Sequence, residues 1–256
     1  MKLKLAAALV AGTAAITMLA GCPTGTPNVT PATPFAFNPN AVLQGEVTFA
    51  GQPLGEFADW TPRLDVKQPG GNRLGIFANV EQNRYFQFVP PSQNLTEGQA
   101  YQVIWDYAGA TPSVAADFNT IDVYVSDPAT ASVANTPEVK FDVQWNVNPS
   151  PTLNATASPT VAKPMTFSFN AIPNLNADYQ VSVFAASGGS ALWSSATLPT
   201  ATSVTWTGKA GTGANPGGNQ LAAGNYTWNV KFWRKGGTFG GANFHGETLR
   251  FPFTIQ

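Results

Sequence analysis

Cysteine is almost absent: the 256 residues hold one, Cys22, so the chain forms no disulfide within itself. Histidine is as scarce, with His245 alone. Metal ligation needs three or four convergent ligands, and no HxH, HExxH or CxxC spacing supplies them, so neither a metal site nor a cofactor is expected. A serine nucleophile would depend on this one histidine as its base. With Glu247 on the same strand face, His245 could act as a base or ligand, but beside a Gly-rich loop it reads as an ordinary polar residue facing water. Charge is sparse as well: 11% of residues are charged and the net charge is −1, which excludes the basic footprint of a nucleic-acid partner. No apolar run is long. The greasiest, Leu5 to Leu19, falls short of the roughly 20 residues a spanning helix needs.

Acid pairs offer no clear reaction centre. Asp106, Asp122 and Asp142 lie on the polar phase of their segments, where solvation explains them more simply than glycoside hydrolysis does. Asp117, Asp122 and Asp127 could gather at a loop end, but they lack the dense oxygen-ligand spacing of a calcium loop. No catalytic residue is therefore assigned, and the chain is expected not to be an enzyme.

What the leader does contain is ordered. Lys2 and Lys4 precede the apolar stretch, which ends in Leu19-Ala20-Gly21-Cys22, the charged-then-apolar layout of a secretory signal. Small residues followed by cysteine resemble the lipobox of bacterial lipoproteins. The resemblance implies cleavage between Gly21 and Cys22, lipidation of Cys22, and a membrane partner through that anchor. The alternative is a non-lipid cleavage site at which Cys22 is an ordinary small residue. Pro23 stands where the lipoprotein family often places an aspartate for inner-membrane retention, so outer-membrane or cell-surface placement is expected.

Gly (24) and Pro (21) are plentiful, and the aromatics sit among Val and Thr instead of at helical spacing. That is an all-β composition, and 43% apolar content argues against disorder. The expected organisation is a signal peptide over 1–21, lipidated Cys22 and a Pro/Thr-rich linker over 22–40, a β-sandwich domain over 41–147, a linker over 148–160 and an immunoglobulin-like sandwich over 161–256. Two tandem antiparallel sandwiches of that size can each bury a core without disulfides. The charge divides unevenly: Ala41 to Val147 holds twelve acids and five bases (net −7), Asn148 to Gln256 two acids and six bases (net +4). The halves could attract each other or a neighbouring chain, although screening beyond about 8–10 Å favours two independently solvated surfaces.

Along the chain, the prolines between Pro23 and Pro39 make a spacer, with Phe35 and Phe37 expected to dock onto the first domain. Period-two alternation marks strands at 43–49, 121–126 and 139–147. In the second half, strands are expected at 165–170, 178–186, 191–198, 203–207, 225–234 and 247–255, with Gly188-Gly189 as a hairpin turn.

Gly45 and Val47 with the Gly51-Gln52-Pro53-Leu54-Gly55 turn, followed by 85–90, 95–98 and 101–105, resemble the transthyretin-like, carboxypeptidase-regulatory-like modules over about 65 residues. That resemblance implies a non-catalytic accessory module. Leu192-Trp193, Val204 to Gly208 and Leu221 to Val230 resemble the immunoglobulin-like domain of flagellar hook-capping proteins over about 95 residues. The chain departs from that pattern at Thr207, where an acid is usual, and in a longer loop over 211–218. The likeness implies fold and not function.

The candidate binding patch is Trp233, Arg234, Lys235, Phe239 and Phe244. In 226–234 the even positions read as the core face, which leaves Trp233 outward or displaced by a bulge. An outward Trp beside cations would present a stacking surface for a sugar ring or a protein. Alternatively Trp233 packs under its own Gly-rich loop or against the first domain, the commoner fate of aromatics in sandwiches. The expected function is a lipid-anchored, non-enzymatic adhesion, assembly or scaffolding module with an envelope protein or glycan as partner. The alternative is a carbohydrate-binding accessory of a polysaccharide-processing system.

Overall fold

The computed structural model describes residues 34–48, 63–82, 84–89, 95–106, 121–143, 148–151, 155–160, 163–199 and 201–256. Gly21, Cys22 and Asp117 lie outside these. Residues 36–256 cluster as one compact unit. Every regular element among the described residues is a strand.

In the first half the strands are β1 (Leu43–Thr48), β2 (Arg63–Lys67), β3 (Ala78–Asn79), β4 (Tyr85–Phe88), β5 (Ala100–Asp106), β6 (Ile121–Val125), β7 (Ala129–Thr130) and β8 (Glu138–Asp142). The second half adds β9 (Ala155–Ala157), β10 (Met165–Ser168), β11 (Ala177–Ala185), β12 (Gly188–Ser194), β13 (Ser203–Trp206), β14 (Gly211–Thr212), β15 (Gly224–Arg234), β16 (His245–Thr248) and β17 (Phe251–Ile255). A small sheet runs β4-β1-β8, a pair joins β10 to β13, and a long sheet runs β14-β12-β11-β15-β16-β6-β5-β2-β3.

Alternation explains β1: Leu43, Gly45 and Val47 are buried while Gln44 and Glu46 are half-buried. Gly45 is required by closeness, since a Cβ there would stand 1.8 Å from the Val139 carbonyl oxygen of β8 and 2.9 Å from the Phe86 ring. Phe37 reaches Tyr85 edge-on at 5.9 Å, the contact expected of it.

The second half is built on aromatics. Phe167 of β10 touches Trp193, Trp206, Trp228 and Phe253, with ring centroids 5.0–5.9 Å away. These rings close the space between the β10-β13 pair and the β12-β11-β15-β17 layer, and all five side chains are at most 1% exposed. Trp193 and Trp206 also donate their indole N–H groups to backbone carbonyls of Gly213 and Lys209, both at 2.9 Å.

One expected strand divides. The segment expected as a continuous strand over 247–255 forms β16 and β17, which both lie along β15, at Lys231–Trp233 and Gly224–Trp228 respectively. Past the break at Leu249-Arg250 their outer neighbours differ: β17 takes β9, whereas β16 takes β6 of the first half. Strand pairing thus crosses the boundary expected at 148–160. Gly246 permits it, because a Cβ there would meet the Val123 carbonyl oxygen at 2.3 Å and the Phe232 ring at 2.4 Å.

Candidate functional site

The junction layer β11-β15-β16-β6-β5-β2 has two unlike faces. Directly opposed residues Tyr179, Phe232, Gly246, Tyr124, Trp105 and Leu64 form a row on one face, which is apolar and joins the core. One residue along, the opposed row is Asp178, Trp233, His245, Val125, Ile104 and Asp65. Because successive side chains alternate, these lie together on the other face. A further row there runs Gln180, Lys231, Glu247, Val123 and Asp106.

Two loops fold onto this second face. The loop after β2 is tied by Leu74 N–H to the Val66 carbonyl at 2.9 Å, and by Ile76 N–H to the Asp65 carboxylate at 3.1 Å. The loop after β15 is tied by Gly236 N–H to the Asp178 carboxylate at 2.8 Å. Its Phe239 ring turns back over the sheet, edge-on to Trp233 at 6.2 Å and to His245 at 5.5 Å, with the Lys231 ammonium 4.7 Å above it.

Trp233 is accordingly 5% exposed and Phe244 7%, so the flat exposed tryptophan surface considered from the sequence is absent. Nor is there a bulge, since β11 and β15 stay in register from Ala177–Arg234 to Ala185–Tyr226. The physical reason is that alternation separates two faces but does not say which is wet, and here loops roof the outward one. Arg234 and Lys235 are exposed; Arg234 is paired with Asp127 and lies 5.1 Å over the Phe244 ring. The patch residues therefore divide into a buried pair, two surface cations and Phe239 at the rim, 37% exposed. His245, read as surface polar, is instead 6% exposed beneath Phe239, with Nδ1 2.9 Å from the Asn243 carbonyl oxygen. Asp127, considered for calcium, is engaged by Arg234 and by the Phe244 N–H at 3.1 Å. Among the described residues no group of three His, Cys, Asp or Glu side chains could hold a metal ion.

Between the two loops lies a cleft of about 280 Å³. Ile104, Val123 and Val125 line it alongside His245, Gly246 and Glu247, with Lys67 and Arg73 contributed by β2 and the loop after it, and Phe239 by the loop after β15. Arg73 is paired with Asp106, and Asn229 donates to Glu247 Oε2 at 2.9 Å. Lys67 is 8% exposed, and none of the ion pairs among the described residues includes it. Burial, then the Arg73 charge, holds its ammonium below the usual lysine value. Burial likewise pulls the His245 imidazolium down, against the opposing pull of the Asn243 carbonyl. At the end of the seam, burial and then the charges of Glu247 and Asp106 push Asp122 up to about 6.

Lys67 and Arg73 escaped the sequence reading. The only available signal was alternation over Arg63–Lys67, where Leu64 and Val66 interleave with Asp65 and Lys67, too short to distinguish from a loop. Their meeting with His245 and Glu247, some 180 residues away, follows from the run of pairings β2–β5, β5–β6 and β6–β16.

No family model matches the chain, and no curated protein matches it. Among solved structures, a tetra-tandem repeat from the extending region of a large adhesion protein is similar at 12% identity, covering 77% of this chain and 42% of that one, with a TM-score of 0.22. At that score the likeness carries no argument about function.

Proposed function

We propose that the chain is a lipid-anchored protein of the bacterial envelope, a non-enzymatic adhesion, assembly or scaffolding module held off the membrane by its Pro-rich spacer. The observation that supports this reading is the placement of the one cysteine: Cys22 follows Leu19-Ala20-Gly21 at the end of a charged-then-apolar leader. A single acyl chain binds a bilayer only marginally, whereas the two or three chains of the lipoprotein modification anchor firmly. The β-rich body offers edges and loops suited to contact with other envelope components, and Pro23 after the cysteine favours the outer membrane or the surface.

The test is Cys22→Ser in the full chain. The wild-type protein should sediment with membranes and incorporate labelled palmitate, while the variant does neither and its folded body melts unchanged. Equal palmitate incorporation by both would overturn the anchor. Co-purification from detergent-extracted membranes then tests the scaffolding role, with a recurrent envelope protein expected among the retained material.

A further inference from the structure

Lys67 is the unusual group of the junction cleft. Lys67 is 8% exposed as a residue, belongs to none of the ion pairs among the described residues and stands beside the Arg73 guanidinium instead of an acid, so burial makes its charge costly. An anion entering the cleft would relieve that cost. The cleft is nevertheless not a plain anion site, because Glu247 lines it and would repel a second negative end. A ligand that satisfies both must be anionic at one end and hydroxylated at the other. Ile104, Val123 and Val125 give an apolar floor, and Phe239 keeps 37% of its surface exposed at the rim. Together they suit a ring with one apolar face. The volume of about 280 Å³ lies just under the roughly 300–1,000 Å³ of drug-sized pockets and suits a single substituted pyranose.

We propose that this cleft binds a sugar acid, a hexuronate unit whose carboxylate meets Lys67, whose apolar ring face packs on Phe239, and whose hydroxyls donate to Glu247. The site needs both halves of the chain, since Lys67 comes from β2 and Glu247 from β16. It goes beyond the anchored-module reading and does not depend on the lipid, so failure of either leaves the other standing.

The experiment titrates the purified protein with methyl glucuronide, methyl glucoside and acetate, followed by calorimetry and by chemical shifts. Saturable binding of the glucuronide is expected, with the glucoside and acetate each weaker by about tenfold or more, because each lacks one of the two recognised ends. Lys67→Met should weaken glucuronide binding by about tenfold, and Phe239→Ala, at an exposed ring, by about threefold. If Lys67→Met does not fold, Phe239→Ala and the ligand series still decide. Acetate binding as tightly as the glucuronide, glucoside binding as tightly, or no saturable binding would each overturn the proposal. A tri-uronate bound about tenfold more tightly than the monomer would identify a polysaccharide source, and equal affinity a free sugar acid.

Discussion

The two faces of the junction layer are both buried, by different means. On the core face, Phe232, Tyr124 and Trp105 pack directly against other apolar side chains, with Tyr124 and Phe232 centroids 5.5 Å apart. On the cleft face, Trp233 and His245 are covered by a loop whose Phe239 remains partly exposed. The first face is sealed by the strands themselves. The second retains Lys67 and Glu247, charged groups that a packed core would reject unless paired. Burial by strand packing favours uniform apolarity, whereas burial under loops tolerates charge and leaves room for a ligand.

The comparison breaks most severely at Phe167, the hub of the aromatic core. Phe167→Ala should cost about 3–5 kcal/mol in denaturant unfolding, because four packed rings lose a common neighbour. Trp233→Ala on the cleft face should cost about 3 kcal/mol, less than Phe167→Ala because the indole N–H is buried without a hydrogen-bond partner among the described residues, a desolvation cost that alanine relieves. A loss below about 1 kcal/mol would show that the loop does not seal that face.

Gly246→Ala attacks the seam itself. Its methyl would meet the Val123 carbonyl oxygen and the Phe232 ring, at an expected cost of about 2 kcal/mol. A second readout sharpens this. Protease cleavage between 148 and 160 should leave the wild-type fragments together on gel filtration, held by β6–β16, and let those of the variant separate. Wild-type fragments that part at once would show the halves to be independent.

The smallest effect concerns Asp122. Its folded pKa of about 6 lies above the ordinary 3.8, so the folded state binds the proton more tightly and the group opposes folding above pH 6, an effect that fades toward pH 4. Asp122→Asn should therefore raise the melting temperature by about 2–4 °C at pH 7.5, corresponding to about 1 kcal/mol after allowance for partial exposure, and change little at pH 4. His245 acts in the opposite sense, its lowered pKa withdrawing stability as pH falls below the unfolded value near 6.5. It is present in both proteins and cancels from the difference.

Much of the fold was legible in the residues. The all-β class followed from composition, and the strand at 43–48 followed from alternation that its burial pattern repeats; the strands expected at 85–90, 101–105, 121–126 and 225–234 formed at 85–88, 100–106, 121–125 and 224–234. The candidate site was less legible. Trp233 and Phe239 were singled out for their type and position, and of the two fates weighed for Trp233, an exposed platform or packing under its own Gly-rich loop, the structure has the second, which period two could not decide because it reports sidedness and not what covers a side.

By itself the sequence determined the strand-rich class and the sidedness of strands such as β1, since each rests on local spacing that side-chain chemistry enforces within a few residues. Only the tertiary structure decided that β16 leaves β17 to pair with β6, that two loops roof the outward face, and that Lys67 and Glu247 share a cleft. These depend on contacts between residues far apart in the chain, where a glycine such as Gly246 matters for the space it leaves, and no local pattern encodes that space.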